Sequence, residues 1–140
     1  MKKLIISLLI LVASAMSASV YAESLVFEGT IGKYKIHMVL DENQEGYYYY
    51  DHRPESRFEL IKTRESACSE DEEVTTEYCV RMTLQEYAPG TNKNTGEFVG
   101  VLSINYGRLL VAVTYEGYFR NKTTGKTMPF EVMYAEEVVY

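Results

Sequence analysis

The sequence predicts a small all-β domain, an antiparallel eight-stranded barrel or flattened sandwich tied by one disulfide. Three observations carry that expectation. Apolar residues recur with a period of two through most of the chain, polar turn segments separate the periodic runs, and no amphipathic helix pattern follows the N-terminal segment.

The elements follow in order. Leu25, Phe27 and Gly29 alternate, and Thr30, Ile31 and Gly32 extend or bend this first strand. Tyr34, Ile36, Met38 and Leu40 give the clearest alternation, with Lys35, His37 and Val39 on the other face. DENQEG (41–46) is a turn, and GYYYYD (46–51) is the return strand. Phe58 and Leu60 open a fourth strand against Arg57, Glu59 and Ile61. Val80, Met82 and Leu84 alternate with Arg81, Thr83 and Gln85 in a fifth. APGTNKNTG (88–96) is a polar loop, residues 98–104 a sixth strand, and NYGR (105–108) a tight turn. Residues 109–119 form a long seventh strand, apolar on both faces at its start. NKTTGK (121–126) turns again into an eighth strand, residues 127–134, where Pro129 predicts an edge or a bulge. Gly29, Gly32, Gly100 and Gly117 mark candidate bends, and closure into a barrel would protect strand edges.

Residues 1–22 read as a signal peptide: Lys2 and Lys3, an apolar run from Leu4 to Val12, then small residues ending in Val20-Tyr21-Ala22. The run is too short for a transmembrane helix, which needs about 20 apolar residues. No cysteine near Ala22 supports a lipid anchor. Residues 23–140 are then a single exported domain, periplasmic or secreted, without a membrane anchor. The full chain has 14 basic and 20 acidic residues, and removal of Lys2 and Lys3 leaves 12 against 20, a net of −8. That charge repels nucleic acid and attracts a basic partner.

Cys68 and Cys79 are the only cysteines, and in an oxidising compartment they predict one structural disulfide. It brackets an acidic run, Glu70, Asp71, Glu72 and Glu73, whose restricted freedom lowers the cost of docking a basic partner. The run lacks the spacing of a calcium loop. Tyr47, Tyr48, Tyr49 and Tyr50 present two rings to each face of their strand. One pair belongs beside Ile36 and Met38, and the register decides which; the other covers the outer face or forms a recognition patch.

Catalytic motifs are sparse. His37 and His52 are the only histidines, and their spacing with Asp41 or Asp51 matches no metal-ligand pattern. No G-x-S-x-G elbow accompanies a serine, and no carboxylate pair stands apart as glycosidase machinery. No cofactor or metal is expected.

The stretches FEGTIGKYKIHMVL (27–40), GYYYYD (46–51), TLQE (83–86) and TGEFVG (95–100) resemble a group of small exported bacterial β proteins with F-x-G-x-I-G-x-Y-x-I-x-M-x-L, G-x-Y-x-Y and T-G-x-F-x-G motifs. The resemblance covers most of residues 27–102 and implies the fold and export, without a role for any residue. The tryptophan that often follows T-G-x-F-x-G is missing, and the Cys68–Cys79 segment is a local elaboration. The chain is also similar in architecture to periplasmic lysozyme inhibitors, small disulfide-linked barrels that insert a loop into the enzyme's cleft, although their S-G-x-x-x-Y loop is absent. The expected function is therefore non-catalytic binding: an inhibitor or immunity-type partner of a basic envelope enzyme such as lysozyme, through Tyr47 to Tyr50 and Glu70 to Glu73. The alternative is a periplasmic carrier of an apolar or aromatic small molecule.

Overall fold

A computed structural model of the chain describes residues 24–68, 78–106 and 110–137. The expected signal peptide, the acidic run from Glu70 to Glu73, and the tip of the turn at Gly107 and Arg108 lie outside the described residues. Those that are described form a closed antiparallel barrel of eight strands in sequence order. The strands are β1 (Leu25–Ile31), β2 (Tyr34–Leu40), β3 (Gly46–Tyr50), β4 (Phe58–Ala67), β5 (Tyr78–Tyr87), β6 (Asn94–Tyr106), β7 (Leu110–Asn121) and β8 (Thr127–Glu137). Of the two architectures the sequence allows, the barrel is the one adopted.

The period-two pattern sets the inner face. Ile36, Met38 and Leu40 point inward, as do Met82 and Leu84, Phe98, Leu102 and Ile104, and Val111, Val113 and Tyr115. The inner surface is a packed core rather than a lumen. Outward positions carry charge on most strands, including Glu28, Lys35, Glu59, Arg81, Glu116 and Glu131. This is the reverse of a lipid-facing barrel, whose exterior is apolar. Burying each large apolar side chain contributes about 2 kcal/mol.

Closure depends on β1 meeting β8, with Glu28 opposite Met133 and Ile31 opposite Phe130. The backbones approach closely here: a Cβ on Gly29 would lie 1.8 Å from the Glu131 carbonyl oxygen. Gly100 and Gly117 face each other across β6 and β7 under the same restriction. Gly32 lies in the β1–β2 turn instead, with φ of 60°.

Several boundaries differ from expectation. β4 runs on to Ala67 although residues 63–67 are exposed and lack an apolar rhythm. Its extension is set by pairing with β5, Ala67 lying opposite Val80. The loop expected over 88–96 is shorter, because β6 begins at Asn94 and Gly96 pairs with Glu86 and Asn121. Pro129 sits in a regular stretch of the β7–β8 ladder, opposite Tyr118, and a closed barrel has no free edge strand. Its carbonyl accepts a hydrogen bond from Gly32 N at 2.8 Å. N–H and C=O of one strand residue point the same way, so the missing donor faces the β1–β2 turn, beyond the last β1–β8 pair. The bulges fall elsewhere, between Lys62 and Arg64 and between Glu86 and Tyr87.

Cys68 and Cys79 are bonded, with Cα atoms 5.7 Å apart. They tie the end of β4 to the start of β5. Loop-closure entropy predicts that Cys68→Ser/Cys79→Ser loses about 3 kcal/mol in urea unfolding. An unchanged midpoint would show that the bridge constrains nothing the strands do not already fix.

Candidate functional site

In an up-and-down barrel, successive turns alternate between the two ends. The β1–β2, β3–β4, β5–β6 and β7–β8 turns share one end, here called the mouth. The β2–β3 turn and the Cys68–Cys79 bridge belong to the other.

The mouth holds an open recess of about 440 Å³. Its lining comes from all four turns and the strand ends beside them: Tyr34; Tyr50, His52, Arg53, Ser56 and Phe58; Pro89; and Met128. The aromatic walls meet at steep angles. Tyr34 stands at 87° to Tyr50, and Tyr50 at 89° to Phe58, with centroids 6.1 and 6.2 Å apart. His52 faces both Tyr34 and Tyr50. Lys33 Nζ lies 5.5 Å from the Tyr34 ring centroid.

Beneath this recess is a buried polar group. Tyr48, on β3, stacks on Phe58 at 5.2 Å and meets Phe98 edge-on at 5.1 Å. Its hydroxyl donates to Glu86 Oε2. Thr95 Oγ1 donates to Glu86 Oε1 at 2.7 Å. Glu86 is the one buried charged-type side chain among the described residues. Burial raises its pKa above the usual carboxylate range, and the bonds from Tyr48 and Thr95 offset only part of that shift. Burial, followed by the Glu86 charge, pushes the Tyr48 hydroxyl well above an ordinary phenol. Tyr50 is also raised, chiefly by burial. A second inward tyrosine, Tyr115, satisfies its hydroxyl on the Met82 carbonyl at 2.8 Å.

The register resolves the tyrosine run. Met38 pairs with Tyr48 and Ile36 with Tyr50, which places these two rings on the core face. Tyr48 is wholly buried, so it supplies packing and a hydrogen bond rather than contact area for a partner. Tyr50 is half-buried and forms part of the recess. Tyr47 and Tyr49 lie on the outer face, stacked at 6.4 Å under Arg57, whose guanidinium carbon is 4.5 Å from the Tyr47 centroid. Tyr49 stacks on His37 at 4.9 Å. His37 is held between Glu28, 2.5 Å from Nδ1, and Asp51, 2.8 Å from Nε2. That hydrogen bond holds the Asp51 carboxyl below its usual range. The two histidines therefore occupy different surfaces, His37 on the barrel wall and His52 at the mouth.

Tyr50 and the disulfide do not share a surface. Tyr50 belongs to the mouth, and Cys68 and Cys79 to the other end. The β2–β3 turn at that end is acidic and ordered by its own side chains. Asp41 Oδ1 accepts from Asn43 N at 2.7 Å and Glu45 N at 3.1 Å, and Gln44 takes φ of 59°.

Sequence reasoning missed Tyr34, Arg53, Phe58, Pro89 and Met128 as a group, because four separate turns bring them together. Glu86 carried a readable signal: it continues the inward row of Met82 and Leu84, where an acid is out of place. Comparison with protein-family models, curated proteins and solved structures found no significant match to this chain.

Proposed function

We propose that the protein is an exported, non-catalytic binding protein that takes a small apolar or aromatic ligand at the mouth of the barrel. The observation that carries this reading is the convergence of four turns on one concave, ring-lined recess. Ligand sites are concave and mostly apolar, with a few polar groups that fix orientation, and a volume of about 300–1,000 Å³ is usual. The packed interior limits the ligand to the mouth, so this would be a shallow cup rather than a lipocalin-like cavity. Export supports a scavenging or delivery role.

Native mass spectrometry of protein recovered from the compartment to which it is exported tests the reading. Extra mass is expected on the wild type and its loss on Tyr34→Ala, a substitution at a side chain already 43% exposed. A bare polypeptide under gentle desolvation, with no added ligand retained either, would remove the proposal.

The charge distribution favours a second reading, capture of a basic envelope enzyme such as lysozyme by the end opposite the mouth. Asp41, Glu42 and Glu45 cluster in one turn there, and the Cys68–Cys79 segment adds Glu70, Asp71, Glu72 and Glu73 in sequence. Pull-down with a cationic muramidase should succeed at low salt and fade as salt rises. Absence of binding at low salt would eliminate it.

A further inference from the structure

We infer that the mouth selects aromatic ligands that carry an oxyanion, with the anionic group seated against Arg53 and the ring between Tyr34, Tyr50 and Phe58. The inference rests on the mouth being a ligand site and adds the chemical class of what it takes.

Four features of the lining point this way. Arg53 borders the recess, and among the described residues no carboxylate pairs with it. The adjacent acid, Asp51, is turned to the barrel wall and bonded to His37 Nε2 at 2.8 Å. Among the described residues, no Asp, Glu, Asn or Gln lines the recess. Its polar side chains among those residues are Tyr34, Tyr50, His52, Arg53 and Ser56, which supply donors and one fixed cation but no carboxylate or amide acceptor. A neutral sugar could bond to the hydroxyls but would leave the Arg53 cation without a counter-charge, and a cationic ligand would meet Arg53 and the nearby Lys33. An arene carrying a carboxylate, sulfonate or phosphate satisfies both halves of the lining. Its flat face fits against one ring while its edges meet the perpendicular neighbours. A guanidinium provides paired donors matched to an oxyanion.

Anilinonaphthalene sulfonate and phenylnaphthylamine form a matched pair of fluorescent probes, sharing one aromatic frame and differing by the sulfonate. Titration at low ionic strength should give the sulfonate about tenfold tighter binding, the gain of a charge-assisted contact. Arg53→Gln should bring the two probes within about twofold, and Tyr34→Ala should weaken both. Arg53 is exposed in the turn between β3 and β4, so the fold should tolerate its replacement, and an unchanged melting curve checks this. Equal binding of both probes, or a sulfonate preference that survives Arg53→Gln, would overturn the oxyanion selectivity while leaving the mouth a ligand site. If neither probe binds, the mouth itself is not a ligand site, and the inference falls with it.

Discussion

Gly29→Val is expected to cost about 4 kcal/mol, above the ~1–3 kcal/mol usual for overpacking. Two backbones, not two side chains, set the cost. The new Cβ would fall 1.8 Å from the Glu131 carbonyl oxygen and 2.6 Å from the Val132 Cα. No rotamer change relieves such a contact, so β1 must move away from β8. That pairing closes the barrel, and separating the two strands exposes Ile31, Phe130 and Val132. Gly90→Ala is a suitable control. Gly90 has φ of 71°, and a Cβ there would meet nothing within 4 Å, so only backbone strain opposes the change. It should cost about 1 kcal/mol. Chemical unfolding of both variants decides the matter. A Gly29→Val penalty no larger than that of Gly90→Ala would show that closure between β1 and β8 is not a tight seam.

Tyr48→Ala should also remove about 4 kcal/mol. It deletes the ring packed on Phe58 and Phe98 and takes away a donor from buried Glu86. Tyr48→Phe separates the two contributions. The ring remains, and the unsatisfied carboxyl alone should cost about 2 kcal/mol. The pH dependence follows from Glu86. Its folded pKa is raised above the ordinary 4.5, so the native state binds more protons than the unfolded chain in the window between the two values. Stability from this residue is therefore highest at acid pH and falls as pH rises from about 4.5 through the folded pKa. Glu86→Gln, which cannot ionise, should flatten that part of the profile. If the slope between wild type and Glu86→Gln is the same, the carboxyl is not desolvated as its burial implies.

Much of the fold was legible because pleated alternation is a local property. Ile36, Met38 and Leu40, or Val80, Met82 and Leu84, reveal a strand and its inner face without any knowledge of neighbours. Short turns favour pairing of successive strands, but the order of the sheet is a matter of tertiary pairing and became visible only in the closed barrel. Closure was less legible, because it depends on contact between Gly29 and Glu131, which are distant in sequence. The same limit applied to the tyrosines. A shift of one residue in the β2–β3 register would bring Tyr47 and Tyr49 inside in place of Tyr48 and Tyr50. The polar extension of β4 through residues 63–67 had no apolar rhythm to mark it, since it is paired but not buried. The recess at the mouth was least legible of all. Tyr34, Arg53, Phe58, Pro89 and Met128 share no motif, and only the common end of four turns unites them.

That division of turns between two ends has an engineering consequence. The segments 88–93 and 122–126 can be lengthened or exchanged to reshape the cup without disturbing the sulfur bridge, which is anchored at the far pole. Swaps in the β2–β3 turn would change the acidic pole while leaving the cup alone. A single barrel of this kind could therefore diversify its two poles on separate evolutionary schedules, with the inward rows held constant between them.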